Sequence, residues 1–228
     1  MKPRRLILAV RRVVGSPWRA TLTIASRLAF ERDQLSTSRH VSLQSYGLGG
    51  SGRVDYAPSG WLFLRRMMRG LTPTHEDVFI DLGSGMGRMV NMAARRYPFK
   101  RVIGVEISQD LNAIAMENAR RLHDSFRCKD VQFVTADATT YEVPDDVTFV
   151  YFFNPFVDEA FNTVLGNLCR SLDRRPRRLH ILYANPVMAA AILATGRFEL
   201  VRFSKGIRRD IRLYRIAVFV TADHAQPL

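Results

Sequence analysis

Thirteen residues, Val78-Phe-Ile-Asp-Leu-Gly-Ser-Gly-Met-Gly-Arg-Met-Val90, constrain this chain more than any other stretch. An apolar run ends in an acid, Asp81. Glycines follow at 83, 85 and 87, and a helix-compatible segment comes next. The pattern predicts a buried strand, a turn that leaves backbone N–H groups bare, and a helix whose N-terminus faces that turn. Such a strand cannot bury both faces alone, so it needs parallel neighbours and covering helices. The turn itself opens a cleft in which a nucleoside can lie against backbone.

The rest of the chain supplies those neighbours. Helices are predicted over 61–70, 87–97, 109–123, 157–172 and 186–194. Strands are predicted over 77–82, 101–106, 131–136, 147–153 and 179–184. The strands are apolar almost throughout, as in a sheet covered on both faces. Strand–helix alternation of this kind implies a doubly wound, Rossmann-like α/β fold. The ending differs: 198–203 and 211–221 read as two strands joined by a short basic loop with no helix between them. That predicts a seven-stranded sheet closed by an antiparallel C-terminal hairpin.

Three further features narrow the ligand of the cleft. A dinucleotide site prefers G-x-G-x-x-G, whereas here the third glycine comes one position early. Asp81, directly before the turn, would repel a pyrophosphate and suits a cationic methionine moiety. Glu106 closes the second strand, where a carboxylate accepts from both ribose hydroxyls and leaves no room for a 2′-phosphate. Asp137 ends the third strand, where a carboxylate can accept from an adenine amino group. Ile107 is placed to pack on the adenine, and Ala138 follows Asp137. Taken singly, Glu106 and Asp137 also read as helix N-caps. Three acids at three successive strand ends make a stronger pattern than any of them alone.

Residues 76–156 resemble a class I S-adenosylmethionine-dependent methyltransferase. Asp81-Leu-Gly-Ser-Gly-Met-Gly87, which includes Ser84, is similar to that family's first motif. Val105-Glu106 is similar to its second and Thr135-Ala-Asp137 to its third. Within the superfamily the turn, followed by Arg88 and preceded by Tyr56-Ala-Pro58, resembles seven-strand lysine methyltransferases. Phe153-Asn154-Pro155-Phe156 resembles small bacterial methyltransferases with Asn-Pro-Phe after the fourth strand. The resemblance implies S-adenosylmethionine as cofactor and S-adenosylhomocysteine as product.

Methyl transfer from a sulfonium is an in-line displacement that depends on alignment. Asn154 ends the fourth strand, where its side-chain carbonyl can accept from an attacking N–H. Pro155 supports that turn, and Phe156 can wall the pocket or stack on a flat acceptor. The same residues also read as a plain strand-stopping turn. No His/Cys/Asp cluster has metal-ligand spacing, so no metal is expected. His180, inside a strand, reads as a core residue, and Asn185-Pro186 as a helix cap. A small-molecule acceptor is expected because no separate substrate domain is present; a protein lysine is the alternative.

The extension before the core carries charge rather than motif. The chain holds 34 Lys/Arg against 21 Asp/Glu, for a net charge of +13. Residues 1–40 hold nine Lys/Arg against two acids, a net +7. They read as two basic helices, interrupted by Arg11 and Arg12 too early for a secretory signal. An acidic partner or an anionic membrane surface fits them, as does a simple packing role. Nucleic acid has no strong signal, since no RNA-stacking motif is present. A basic RNA- or membrane-binding protein on the same scaffold, and an NAD-dependent enzyme, are the rival classes. Three segments are expected: the basic extension to residue 40, a glycine-rich lid or linker at 41–60, and the catalytic domain at 61–228. Tyr46, Tyr56 and Ser59 are the loop's contact candidates. Two isolated cysteines and no apolar run of span length predict a cytoplasmic protein, at most peripheral at the inner face of a membrane. The oligomeric state stays open.

Overall fold

The computed structural model describes residues 37, 40–42, 44, 55–60, 62–209 and 212–222. The two basic helices expected before residue 40, and Tyr46, lie outside the described residues.

Seven strands form one sheet: β1 (Val78–Leu82), β2 (Arg101–Glu106), β3 (Val131–Thr135), β4 (Val147–Phe152), β5 (His180–Ala184), β6 (Phe198–Arg209) and β7 (Arg212–Thr221). Their order is β3-β2-β1-β4-β5-β7-β6. The first five run parallel, and β7 is antiparallel to both β5 and β6. Helices α1 (Phe63–Met67), α2 (Arg88–Arg96), α3 (Gln109–Leu122), α4 (Asp158–Arg174) and α5 (Ala189–Ala194) cover it.

Period-2 alternation divides the core between the two sheet faces. Phe79, Phe149, Tyr151, Leu182 and Val218 pack with Phe63, Leu64 and Met67 of α1 and with Met89, Val90 and Ala93 of α2. Ile80, Val150, Phe152, Ile181 and Tyr183 pack with Phe161, Val164 and Leu168 of α4 and Ile192 of α5. Both faces of β1 are therefore apolar, which explains its unbroken run and its complete burial. His180 sits in this core, stacked on Phe149 with ring centroids 4.6 Å apart. Burial pushes its pKa down to about 4.

Strand order reverses beside β1, where β2 lies on one side and β4 on the other. The carboxyl ends of parallel strands splay apart at such a point and leave a crevice. That places Leu82, Glu106 and Phe152 around one opening.

Several boundaries move. The first helix is a short Phe63–Met67 element, because Leu62 and Met68 to Gly70 are turn residues. Asn185 does not cap a helix. It takes φ 56° and starts a turn in which Val187 N–H donates to its carbonyl, so α5 begins only at Ala189. The basic loop expected after 203 is paired strand as far as Arg209↔Arg212. Two register shifts, at Leu200/Arg202 and Ser204/Ile207, bend the ribbon and let it continue.

Candidate active site

The glycine turn closes against β2. Gly83 and Ser84 donate their N–H groups to the Val105 carbonyl at 2.9 and 3.0 Å. Gly83, Gly85 and Gly87 all take positive φ, at 86°, 53° and 74°. Each is also crowded. A Cβ on Gly83 would lie 2.4 Å from the Pro155 Cβ, and one on Gly85 2.1 Å from the Tyr56 ring. A Cβ on Gly87 would lie 2.8 Å from the Ala115 Cβ. The three glycines thus do different work. Gly83 admits the turn after β4, Gly85 admits the loop before the core, and Gly87 lets α3 pack closely.

Two acids sit at the bottom of the opening. Asp81 is 3% exposed and Glu106 6% exposed. Burial raises the Asp81 pKa well above the usual carboxylate range, and the neighbouring Glu106 charge adds to the rise. Burial also raises Glu106, against the pull of backbone N–H donors at Ser108, Gly85 and Ile107. Glu106 Oε2 accepts from Gly85 N–H at 2.7 Å and Oε1 from Ser108 N–H at 3.0 Å. The N-cap of α3 is Ser108, whose Oγ accepts from Leu111 N–H, so Glu106 is not a cap. Asp137 is not one either, because no helix follows it. Its Oδ1 accepts from Thr139 N–H at 2.9 Å and its carbonyl from Thr140 and Tyr141 in a turn.

These elements line one open cleft. Tyr56, Ser59, Asp81, Gly83, Ser84, Glu106, Ile107, Asp137, Ala138, Pro155 and Phe156 all face it. Gly85 and Gly87 lie behind its wall. Asn154 is also outside the lining, at φ 46°, with its Oδ1 accepting from Tyr183 O–H at 3.4 Å. Burial pushes the Tyr183 phenol up to about 12, so it stays a donor. Phe156 is buried against Phe152 and Phe161. Among the described residues no group of three His, Cys, Asp or Glu is placed to hold a metal ion. No helix among them is long and apolar enough to cross a membrane.

Residues that the sequence pattern did not single out join the same cleft. Arg88 opens α2 and is buried, donating to Thr37 Oγ1 at 2.8 Å and to the Ser59 carbonyl at 2.6 Å. Tyr151 O–H donates to Ser59 Oγ at 2.9 Å, across 92 residues of sequence. Tyr56 O–H donates to the Thr37 carbonyl at 2.9 Å, and Tyr56 also bridges to Val41. Thr37 and Ser59 are thereby tied to the first residue of α2. One signal pointed to Arg88: a cation at the first position of a helix opposes the dipole and calls for another reason to be there.

The fit to S-adenosylmethionine can be judged on these groups. The Ser84 Oγ is buried and has no hydrogen-bond partner. Asp81 is a buried carboxylate whose charged form wants a cation. Glu106 holds two inward oxygens that each accept one protein N–H and have capacity for more. Bare backbone at Gly83 and the apolar walls of Ile107 and Ala138 complete the arrangement. The residues present suit a nucleoside joined to a cationic chain.

The fold and this site define a class I S-adenosylmethionine-dependent methyltransferase scaffold. Residues 39–164 match the family model of the histone methylation protein DOT1, and the chain belongs to that family. Over 68 residues it is 32% identical to a protein-lysine N-methyltransferase of Saccharolobus islandicus, covering 30% of this chain and 42% of that protein. Over 51 residues it is 39% identical to the Drosophila melanogaster histone-lysine N-methyltransferase specific for H3 lysine-79, covering 22% of this chain and 3% of that protein. The matched stretches thus span less than half of either relative. Among solved structures, an RNA methyltransferase from Salinibacter ruber in complex with S-adenosyl-L-homocysteine superposes with a TM-score of 0.53 at 22% identity. It covers 75% of this chain and 97% of that one. TrmN from Thermus thermophilus superposes at 0.54 with 17% identity, covering 71% and 48%. At these identities the likeness is one of fold.

Proposed function

We propose that this chain transfers a methyl group from S-adenosylmethionine to the side-chain amine of a lysine in a protein. The observation that carries the reading is the family match over 39–164. It contains both the cofactor turn and Phe153-Asn154-Pro155-Phe156. The two curated relatives, both named as lysine methyltransferases, support a protein lysine. A small-molecule acceptor, expected from chain size, draws no support from them.

In this reading Glu106 accepts from the ribose hydroxyls while keeping its Gly85 and Ser108 bonds. Asp137 and Ala138 flank the adenine edge, with Ile107 on its face. Asp81 stands beside the cationic methionine portion, whose positive charge favours the ionised carboxylate that burial otherwise opposes. The cofactor supplies an electrophilic methyl on sulfonium sulfur. The protein's task is to present a neutral amine in line with it. A free lysine ammonium has a pKa near ~10.4 and no lone pair to give. The largely apolar wall of Phe153, Pro155 and Phe156 disfavours the charged amine, so its proton is lost to solvent before attack. Asn154 stands beside Pro155 at the end of this wall, and its Oδ1, which also accepts from Tyr183 O–H, is the candidate acceptor for one of the amine's two N–H bonds. The new N–C bond forms as the S–C bond breaks.

The test uses the purified chain with methyl-labelled S-adenosylmethionine and a lysate that lacks this protein. The lysate is then separated into protein, RNA and small-molecule fractions. Label in protein, recovered as methyl-lysine after hydrolysis, is expected. Label confined to small molecules or RNA would overturn the lysine assignment while leaving the cofactor site intact.

A further inference from the structure

The C-terminal hairpin does more than close the sheet. β5 pairs with β7 only as far as Ala184↔Ile216. The β6–β7 ribbon continues beyond that row through Ile207↔Tyr214 and Arg208↔Leu213 to Arg209↔Arg212. Because β7 runs antiparallel to β5, this surplus projects past the carboxyl ends of the parallel strands. That is the end of the sheet that carries the cleft. Residues 205–209 and 212–215 therefore form an arm that extends beyond the end of β5.

The arm is joined to the cleft mouth. Tyr214 meets Phe153 edge-on at 5.4 Å and Phe63 at 5.9 Å, and Phe153 lines the cleft. It is also joined to α1. Arg202 of β6 donates to the Met67 carbonyl at 3.2 Å, at the end of that helix.

Its charge is one-sided. Residues 205–215 contain Lys205, Arg208, Arg209, Arg212 and Arg215 against Asp210 alone. On α1 and the turn after it, Arg65, Arg66 and Arg69 are exposed, and none has an acidic partner among the described residues. Basic sequence thus continues from the arm to Arg202 and on to the exposed Arg65, Arg66 and Arg69 of α1 and the turn after it, while Arg215 lies on the opposite face of the ribbon. A cluster of arginines beside a site steers anionic partners toward it and repels cationic ones.

We infer that this cluster selects the acceptor: it docks an acidic segment of the substrate protein that flanks the target lysine. The inference rests on the lysine reading above. A lysine in a basic segment would approach against like charge, whereas carboxylates beside it would reach guanidinium groups suited to hold them in pairs. The rings on this side favour an acidic peptide over single-stranded RNA. Phe63, Phe153 and Tyr214 pack edge-to-face on one another and Phe63 is fully buried, so they do not form a row of parallel exposed rings on which successive bases would stack. The exposed Phe203 lies on the opposite face of the sheet, with the Arg215 guanidinium 5.9 Å above its ring.

The experiment compares peptides that present one lysine flanked by glutamates, by glutamines or by arginines. The enzyme is the full chain and a variant carrying Arg208→Glu, Arg209→Glu and Arg212→Glu together. A second variant places lysine at the same three positions. S-adenosylhomocysteine binding by calorimetry checks that each variant is folded. The glutamate-flanked peptide should show a kcat/KM about tenfold or more above the glutamine-flanked one. That advantage should shrink at high salt, vanish in the glutamate variant and survive in the lysine variant. Equal rates for all flanks, or a preference kept by the glutamate variant with cofactor binding intact, would overturn the inference but not the lysine reading. Inhibition by poly(U) with no effect of polyglutamate would reassign the cluster to RNA and overturn the inference as well. No methylation of any lysine peptide by a chain that binds cofactor would overturn the lysine reading and this inference with it.

Discussion

The two halves of the cleft are built differently. On the cofactor side, β1 and β2 and the turn between β1 and α2 bring backbone and buried carboxylates together within one strand–helix–strand unit. On the side proposed for the acceptor, Phe153 follows β4, Tyr214 comes from β7 and Phe63 from α1, and Asn154 Oδ1 accepts from Tyr183 of β5. The cofactor side is a short-range device with tight steric tolerances, since Gly83, Gly85 and Gly87 have no space for a side chain. The acceptor side is a long-range assembly of replaceable walls.

The sharpest contrast should come from Asn154→Ala. Methyl transfer should fall by about 100-fold or more, close to ~3 kcal/mol of barrier. S-adenosylhomocysteine affinity by calorimetry should stay within about twofold. Parallel losses of both would mean that the two halves are not separable.

Gly87→Ala tests the short-range half through stability. Alanine at φ 74° is strained, and its Cβ would sit 2.8 Å from that of Ala115. Strain and overpacking together should cost about 3 kcal/mol in chemical denaturation. A change within experimental error would mean that the turn can give.

His180 lies in the core away from both halves, and it sets the pH response of the scaffold. Its folded pKa of about 4 lies below the ordinary value of 6.5, so the unfolded chain takes up a proton that the folded chain refuses. This contribution is intact above about pH 6.5. It is lost as pH falls from there through 4, by about 3 kcal/mol in all. Urea titrations between pH 7 and pH 4 should show the decline, and His180→Phe should flatten it. An unchanged slope in that variant would assign the acid sensitivity elsewhere.

Asp81→Asn should give the smallest stability change and the most telling sign. With its folded pKa raised, Asp81 favours the folded state at low pH and opposes it once ionised. The neutral amide should therefore raise the melting temperature of the ligand-free protein by a few degrees near neutral pH, while weakening cofactor binding. A lower melting temperature, or unchanged affinity, would show that the buried carboxylate is not kept for the cofactor.

How much was legible beforehand follows the same division. The sheet, the glycine turn and the placement of acids at or just past the ends of β1, β2 and β3 could be read because each signal lies within one strand and the turn that follows it. The closing hairpin followed from the breakdown of alternation after residue 194, whereas the strand order was not specified by it. The acceptor wall could not be read, because Phe63, Phe153 and Tyr214 meet only through tertiary packing. The Arg88 anchor to Thr37 and Ser59 likewise spans 51 and 29 residues. The arm was missed for a different reason. Its basic residues resemble a solvated loop, and only the pairing register shows that they extend a ribbon above the cleft. The cap readings of Glu106 and Asn185 failed because composition marks where a helix starts only to within a few residues.

The most direct measurement is calorimetric titration of S-adenosylhomocysteine into the wild-type chain and Glu106→Ala. In the proposed site both ribose hydroxyls donate to this one carboxylate, at about 1.5–3 kcal/mol per charge-assisted bond. Affinity should therefore fall by at least about 100-fold, with the fold intact by circular dichroism. Unchanged affinity in Glu106→Ala would contradict the cofactor site, and with it the reading of the cleft from which everything else is drawn.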